Sequence, residues 1–202
     1  LLGGQLAEAN ILEYKDTLST SAPATTSDHT IQFRTTTALA PGDFIRIQPD
    51  PGSFTIPSTN FGADQVELFV DSGSGFTQRT TGTTTGTSTD VVAITPGTSG
   101  SVTVTLNSLT GIPADSVIRL LIGTHTSNST STDTGIINPS ATSSYPIFIE
   151  KGGSENVTAQ GWVAIVDAVG VGPVDTTEEI PPERFNGAPT GTLPGTAISV
   201  VV

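Results

Sequence analysis

The stretch HTIQFRTTTALAPGDFIRIQ, residues 29–48, decides the fold class. In its first half, apolar Ile31 and Phe33 alternate with polar side chains, which is the period of a strand with one buried face. A Pro-Gly-Asp turn follows, and the segment FIRIQ then resumes the same alternation. Two short strands joined by turn residues, with no helical period, predict an all-β protein.

Further predicted strands lie on both sides of this stretch at short spacing. Residues 101–106, SVTVTL, form a clean amphipathic strand with Val102, Val104 and Leu106 inward. Residues 117–123, VIRLLIG, are apolar on both faces except at Arg119, which predicts a central strand. About nine such strands with frequent turns predict a single antiparallel β-sandwich, immunoglobulin-like or jelly-roll-like, over residues 10–172.

The last predicted pair of strands contains the single tryptophan. Residues 145–150, YPIFIE, and 160–167, QGWVAIVD, are expected to form a hairpin, and Trp162 is expected to lie in the core. Residues 72–89 and 124–144 are rich in Gly, Ser and Thr and are predicted to face solvent. The first of these segments is compatible with a mobile loop or with a polar hairpin.

Extended arms are predicted at both ends of the sandwich. Residues 1–9 form an N-terminal arm, and a first strand follows over 10–18 with Leu12, Tyr14 and Leu18 on one side. Residues 173–195 contain five prolines, which excludes a helix and a central strand. Residues 196–202, TAISVVV, are a short β-prone strand that must find a partner sheet.

Composition excludes several classes of function. The formal net charge is −12 with a pI of about 4.2, and Lys and Arg total only 7, which makes nucleic acid a poor partner. Cys is 0, so the chain has no disulfide framework, thiol nucleophile or Cys-based zinc site. No apolar run approaches the ~20 residues of a membrane-spanning helix.

Three segments carry a family resemblance. DTLSTSAP (residues 16–23) and TTSDHTIQF (25–33), with the Pro-Gly turn and the strand after it, resemble the first module of large secreted surface proteins from uncultivated small-genome bacteria. PPERFNGAPTGTLPGT (181–196) is similar to their connector into a following immunoglobulin-like module. The resemblance implies a Thr/Ser-rich extracellular β-sandwich of a filament, surface layer or adhesin, with no family active site.

The sequence shows no pattern typical of an enzyme. Its two histidines, His29 and His125, stand far apart, and no GxSxG-like nucleophile elbow is present. We therefore predict no catalytic residues and no cofactor.

Calcium is the one metal ion that the oxygen-rich side chains suit. The carboxylates available to it are Asp64 with Asp71, and Asp175 with Glu178, but none has the spacing of a dedicated calcium loop. Solvated turn carboxylates are the preferred interpretation.

Two segments match the N-glycosylation pattern: Asn128-Ser129-Thr130 and Asn156-Val157-Thr158. Matches this short also arise by chance in a chain so rich in Thr.

These features predict an extracellular structural subunit that assembles with copies of itself into a filament or surface layer by β-strand addition. The predicted assembly strand presents Ile198, Val200 and Val202 on one face. The alternative donor is the N-terminal arm, with Leu1, Leu2, Leu6 and Leu12, and a third interpretation makes 196–202 the start of a further module. A cell-surface adhesin or carbohydrate-binding module, with cell-surface glycans as partners, is the alternative function.

Overall fold

The computed structural model describes residues 11–84, 86–153 and 156–167. Nearly all of the regular structure there is β. The strands are β1 (Ile11–Leu18), β2 (Thr26–Ser27), β3 (His29–Thr35), β4 (Phe44–Pro49), β5 (Val66–Asp71), β6 (Thr77–Arg79), β7 (Thr81–Gly82), β8 (Asp90–Thr95), β9 (Ser101–Thr105), β10 (Val117–Ile122), β11 (Ile136–Ile137), β12 (Ser143–Gly152) and β13 (Val157–Ile165). One 3-10 turn, Ala63–Gln65, precedes β5.

The strands form two main sheets. Sheet one has the order β1-β3-β10-β5-β6, and sheet two has the order β13-β12-β4-β9-β8-β7. All pairs are antiparallel except β7 with β8, and β2 with β11 forms a separate short pair. The predicted all-β antiparallel sandwich is confirmed. Its predicted boundaries at 10 and 172 and its two arms lie outside the described residues.

One hydrophobic core lies between the two sheets. Sheet one contributes Ile31, Phe33, Val66, Leu68, Ile118 and Leu120, and sheet two contributes Ile45, Ile47, Val102, Val104, Ile147 and Ile149. Each such side chain stabilises the fold by about 1.5–3 kcal/mol on burial. The inward residues predicted for β3, Ile31 and Phe33, and for β9, Val102 and Val104, are among them, and Leu106, predicted with the latter, is also buried. β10 lies between β3 and β5, so the predicted central strand is confirmed.

The stretch 29–48 forms β3 and β4, which belong to opposite sheets. The chain crosses the edge of the sandwich between them, where Leu39 is buried and bridges to Ile112. A tight turn then follows, in which Asp43 accepts a hydrogen bond from the Ala40 amide at 2.8 Å and Gly42 has a φ of 87°. Alternation alone predicts strands, but it does not say which sheet each strand joins.

The prediction that Trp162 lies in the core was wrong. The hairpin of β12 and β13 forms as expected, with Pro146 opposite Trp162. Gly161, Val163 and Ile165 point inward. Trp162, between Gly161 and Val163, therefore points outward, and 58% of its surface is exposed.

The two Ser/Thr-rich segments are more structured than the sequence predicts. Within 72–89, β6 pairs with β5 and β7 pairs with β8, so the segment joins both sheets and is not a hairpin of its own. Within 124–144, Ile136 and Asn138 are buried. Asn138 donates hydrogen bonds to the carbonyl oxygens of Thr20 and Ala22, both at 3.0 Å. Within the part of the chain that the structure describes, no helix has the length and apolarity to cross a membrane.

Candidate functional site

The first edge of interest is β1, at the border of sheet one. Its pairing with β3 shifts register between Leu12 and Lys15, where Glu13 has a φ of 53°. The sequence predicted that Leu12 shares one face with Tyr14 and Leu18. The bulge instead shifts the alternation of faces by one residue, so Leu12 points outward and is 40% exposed. Glu13 forms an exposed ion pair with Arg34 at 2.9 Å. Bulges and charges are the features that keep an edge strand from pairing with another chain.

Asp16 on β1 and His29 on β3 form a buried polar pair. Asp16 Oδ2 is 2.9 Å from His29 Nδ1, and the two side chains are 0% and 1% exposed. The edge of the His29 ring packs against the Phe54 ring, with centroids 6.1 Å apart. The other polar atoms of the pair, Asp16 Oδ1 and His29 Nε2, have no hydrogen-bond partner among the described residues. With this little solvent access, the pair joins β1 to β3 and packs against the Phe54 ring.

The second edge is β13, at the border of sheet two. Its nine residues, VTAQGWVAI, contain no charge and no proline. In the described ranges β13 forms a strand ladder only with β12. Directly after β13, the Val166 amide donates a hydrogen bond to the Ser21 carbonyl at 3.0 Å, so the end of the other side is held by the segment that follows β1. Thr158, Gln160, Trp162 and Ala164 are exposed on its outer face. A long, uncharged strand of this kind is a template for pairing with a further strand.

β1 and β13 meet at Tyr14 and Gly161. A Cβ atom on Gly161 would lie 1.7 Å from Tyr14 Cε1, so the phenol ring packs directly on the glycine backbone. Burial raises the pKa of Tyr14 well above its usual range, and the negative charge of Asp16 raises it further. Tyr14 Oη is buried, and its side-chain hydrogen bond with Asp16 also raises the pKa. The glycine in β13 is therefore required by close packing.

The outer face of sheet two carries a shallow groove of about 300 Å³. Its lining residues are Arg46, Gln48, Pro51, Phe148, Glu150 and Thr158. Arg46 and Glu150 stand opposite each other on β4 and β12 and form an ion pair.

A second, smaller pocket brings His125 against Asp28 and Thr30. His125 Nε2 is 3.3 Å from Thr30 Oγ1, and His125 Nδ1 is 3.5 Å from Asp28 Oδ2. The order hydroxyl, imidazole, carboxylate resembles a catalytic triad. However, Asp28 already accepts hydrogen bonds from the amide and hydroxyl of Thr124, at 2.7 and 2.8 Å. The carboxylate thus fixes the loop after β10, and the distance to His125 is too long for an orienting hydrogen bond.

The structure separates the two calcium candidates that it describes. Asp64 precedes β5 and Asp71 ends it, so the length of the strand, about 20 Å, lies between them. Asp71 instead accepts hydrogen bonds from the amides of Gly73 and Gly75, and these lower the pKa of its carboxyl. The described residues contain no cluster of three or more metal-ligating side chains. Asp175 and Glu178 lie outside them.

Both glycosylation motifs lie on the surface. Asn128 and Asn156 are exposed in loops, and Asn156 accepts a hydrogen bond from the Gly153 amide at 3.4 Å. Of the residues predicted to mediate assembly, only Leu12 falls in the described part. Leu1, Leu2 and Leu6, together with Ile198, Val200 and Val202, fall outside it.

Sequence reasoning missed three features: the exposed tryptophan, the uncharged edge of β13 and the contact of Tyr14 with Gly161. A signal for the first was present in the sequence. Gly161, Val163 and Ile165 stand at alternate positions and share one face of the strand, so Trp162 belongs to the opposite face. The contact of Tyr14 with Gly161 joins residues far apart in the chain, and no local pattern predicts it.

Comparison with known proteins gives likenesses of fold only. No family model matches the chain. No curated protein matches it either. Among solved structures, the chain is similar to BslA, a bacterial hydrophobin, with 13% identity and a TM-score of 0.37 over 78% of this chain and 97% of that one. It is also similar to the pilus 2b backbone protein of group B streptococcus, with 11% identity and a TM-score of 0.44 over 75% of this chain and 56% of that one. At such values the roles of those two proteins do not carry over to this chain.

Proposed function

We propose that this chain is an extracellular structural subunit that assembles with copies of itself into a filament or surface layer by β-strand addition. The acceptor is the side of β13 that faces away from β12 and carries no strand ladder in the described residues, and the donor is the segment 196–202 of a neighbouring copy. The observation that carries the proposal is the nine-residue edge of β13, which lacks charge and proline.

The chemistry of the edge suits a main-chain partner. An added strand forms hydrogen bonds with the amides and carbonyls along β13 and places alternate side chains against the core. The donor TAISVVV presents Ile198, Val200 and Val202 on one side. Burying these three side chains would supply on the order of 5–9 kcal/mol before the cost of ordering the segment.

Charge favours the same pairing. Copies with a net charge of −12 repel each other, so a stable contact must exclude carboxylates. Residues 157–165 and 196–202 are two β-prone segments free of charge. In the sequence, the connector carboxylates Glu178, Glu179 and Glu183 fall in neither of these two segments.

Exposed apolar side chains are also concentrated near this edge. Four large apolar side chains are exposed in the described residues: Leu12, Leu109, Trp162 and Val166. Three of them belong to β1, β13 or the residue that follows β13. The chain from Val174 to Gly195 spans up to about 70 Å when extended, which is enough to reach a neighbouring subunit.

The test compares the same charge change on the two edges. Ala164→Lys places a cation on the exposed face of β13, and Thr17→Lys places one on the exposed face of β1. We expect full-length protein to form assemblies visible by negative-stain electron microscopy and multi-angle light scattering, and Ala164→Lys to remain monomeric. Thr17→Lys is expected to assemble like the unmodified chain.

A truncation after Pro194 identifies the donor. The truncated chain should fold, as judged by β-type circular dichroism, and remain monomeric, and free TAISVVV peptide should bind it. Assemblies that persist after this truncation, and that disappear when residues 1–9 are deleted, would make the N-terminal arm the donor. Intramolecular pairing of 196–202 with β13 of the same copy would appear as a monomer at every concentration and would overturn the proposal.

A further inference from the structure

We propose that the outer face of sheet two binds a neutral polysaccharide, with Trp162 and Phe148 stacking on sugar rings and the groove beside Phe148 holding their hydroxyls. The site lies on the face of the sheet, whereas the assembly proposed above uses the edge of β13. The two proposals are therefore separable by experiment.

Trp162 is the first element of the site. An indole with 58% of its surface exposed contributes little to the core and leaves a flat apolar surface in water. Phe76, which directly precedes β6, is in a different environment, because the guanidinium of Arg119 lies 3.7 Å from the centre of its ring. Arg119 is in turn held by Gln32 Oε1 at 3.2 Å. Phe76 is thus covered by its own protein, whereas Trp162 presents its ring to a ligand.

Phe148 extends this apolar surface across the sheet. It stands opposite Gln160 on β13 and opposite Gln48 on β4. Trp162 is two residues beyond Gln160 and opposite Pro146, so it is the diagonal neighbour of Phe148 at about 7–8 Å. The register therefore alternates flat apolar groups with side-chain amides across three adjacent strands.

The polar groups select the class of ligand. The Gln160 amide offers two N–H donors and one acceptor oxygen. The Gln48 amide nitrogen donates one hydrogen bond to the Ser99 carbonyl at 3.3 Å and keeps its second N–H and its oxygen for a ligand. Both amides match the mixed donor and acceptor character of sugar hydroxyls. Arg46 and Glu150 neutralise each other in their ion pair, so the groove carries no net charge. A chain of net charge −12 disfavours an anionic ligand at such a site. An apolar floor with a few placed polar groups is the usual composition of a ligand site, and a pyranose, with one C–H face and a rim of hydroxyls, fits it.

The single tryptophan makes the site directly observable, because all tryptophan fluorescence of the chain comes from Trp162. Full-length protein is titrated with dextran, xylan or a mixed-linkage β-glucan, and quenching of the emission by acrylamide is measured. We expect at least one of these neutral polysaccharides to protect Trp162 from acrylamide, and the anionic polysaccharide alginate to give no protection. Titrations at two protein concentrations separate this protection from burial by self-assembly.

Affinity gel electrophoresis in the same polysaccharides tests the individual residues. We expect Trp162→Ala and Phe148→Ala to weaken retardation by about tenfold or more, which corresponds to 1.4 kcal/mol. Trp162→Phe should retain part of it, and the matched control Leu109→Ala, which also removes an exposed apolar side chain, should leave it unchanged. Lack of protection by all three neutral polysaccharides, or equal retardation of Trp162→Ala and the unmodified chain, would overturn the proposal. Retardation lost in Ala164→Lys together with assembly, but unaffected by Phe148→Ala, would assign Trp162 to the subunit contact instead.

Discussion

β1 and β13 border the two sheets at the same rim of the sandwich and touch through Tyr14 and Gly161, yet their sequences are opposite in character. β1, ILEYKDTL, carries three charges and a bulge at Glu13. β13, VTAQGWVAI, carries neither charge nor proline and pairs without a register shift along β12.

The difference shows that the burial of its side chains does not determine whether an edge strand can pair with a further strand. Both strands place apolar side chains against the same core, so both contribute to the fold. Only β1 has the features that discourage a further strand. We infer that β1 is the closed border of the sandwich and that β13 is the border through which it pairs.

The largest effect expected at this rim comes from the buried pair of Asp16 and His29. Asp16→Ala leaves His29 Nδ1 buried without its hydrogen-bond partner and should lower the free energy of unfolding by about 1–3 kcal/mol. Glu13→Ala, on the same strand, breaks only the exposed pair with Arg34 and should cost about 1 kcal/mol or less. Urea denaturation measures the free energy of unfolding of both variants. Equal losses would show that burial of the pair of Asp16 and His29 does not increase its contribution to stability.

The next effect concerns the contact between the two strands. Gly161→Ala forces the added methyl group into the Tyr14 ring and should destabilise the protein by about 1–3 kcal/mol through overpacking. Tyr14→Ala removes the ring and should make the same glycine substitution nearly neutral. A double-mutant cycle by thermal denaturation checks this coupling. Additive losses would mean that Tyr14 and Gly161 do not constrain each other.

The sequence predicts the strands of the sandwich better than it predicts their arrangement. Alternation identifies Ile31, Phe33, Val102 and Val104 as core because the strand period is local. The bulge at Glu13 and the outward direction of Trp162 depend on register, where a shift of one residue exchanges the two faces. The Asp28 and His125 pair joins loops far apart in the chain and has no local signature. The proposed donor segment lies outside the described residues, so its role stays a prediction.

The smallest effect isolates the hydroxyl of Tyr14 at the contact between β1 and β13. Tyr14 Oη is buried, which costs its desolvation, but the Asp16 carboxylate is its hydrogen-bonding neighbour. Tyr14→Phe removes this group and keeps the ring. Because the desolvation cost and the lost interaction oppose each other, the free energy of unfolding at neutral pH should change by no more than about 1 kcal/mol.

At alkaline pH the sign of the Tyr14 effect follows from the raised pKa in the folded state, which burial causes and the charge of Asp16 increases. Above about pH 10 the unfolded chain releases the phenol proton while the folded chain retains it. The free energy of unfolding should then fall by up to about 1.4 kcal/mol per pH unit through this group. This stability is fully present below pH 10 and is lost as pH rises toward the folded pKa. Urea titrations from pH 8 to 11 should show that the free energy of unfolding declines less steeply for Tyr14→Phe than for the unmodified chain. Parallel declines would mean that the Tyr14 hydroxyl contacts solvent and that β1 and β13 pack less tightly than the structure shows.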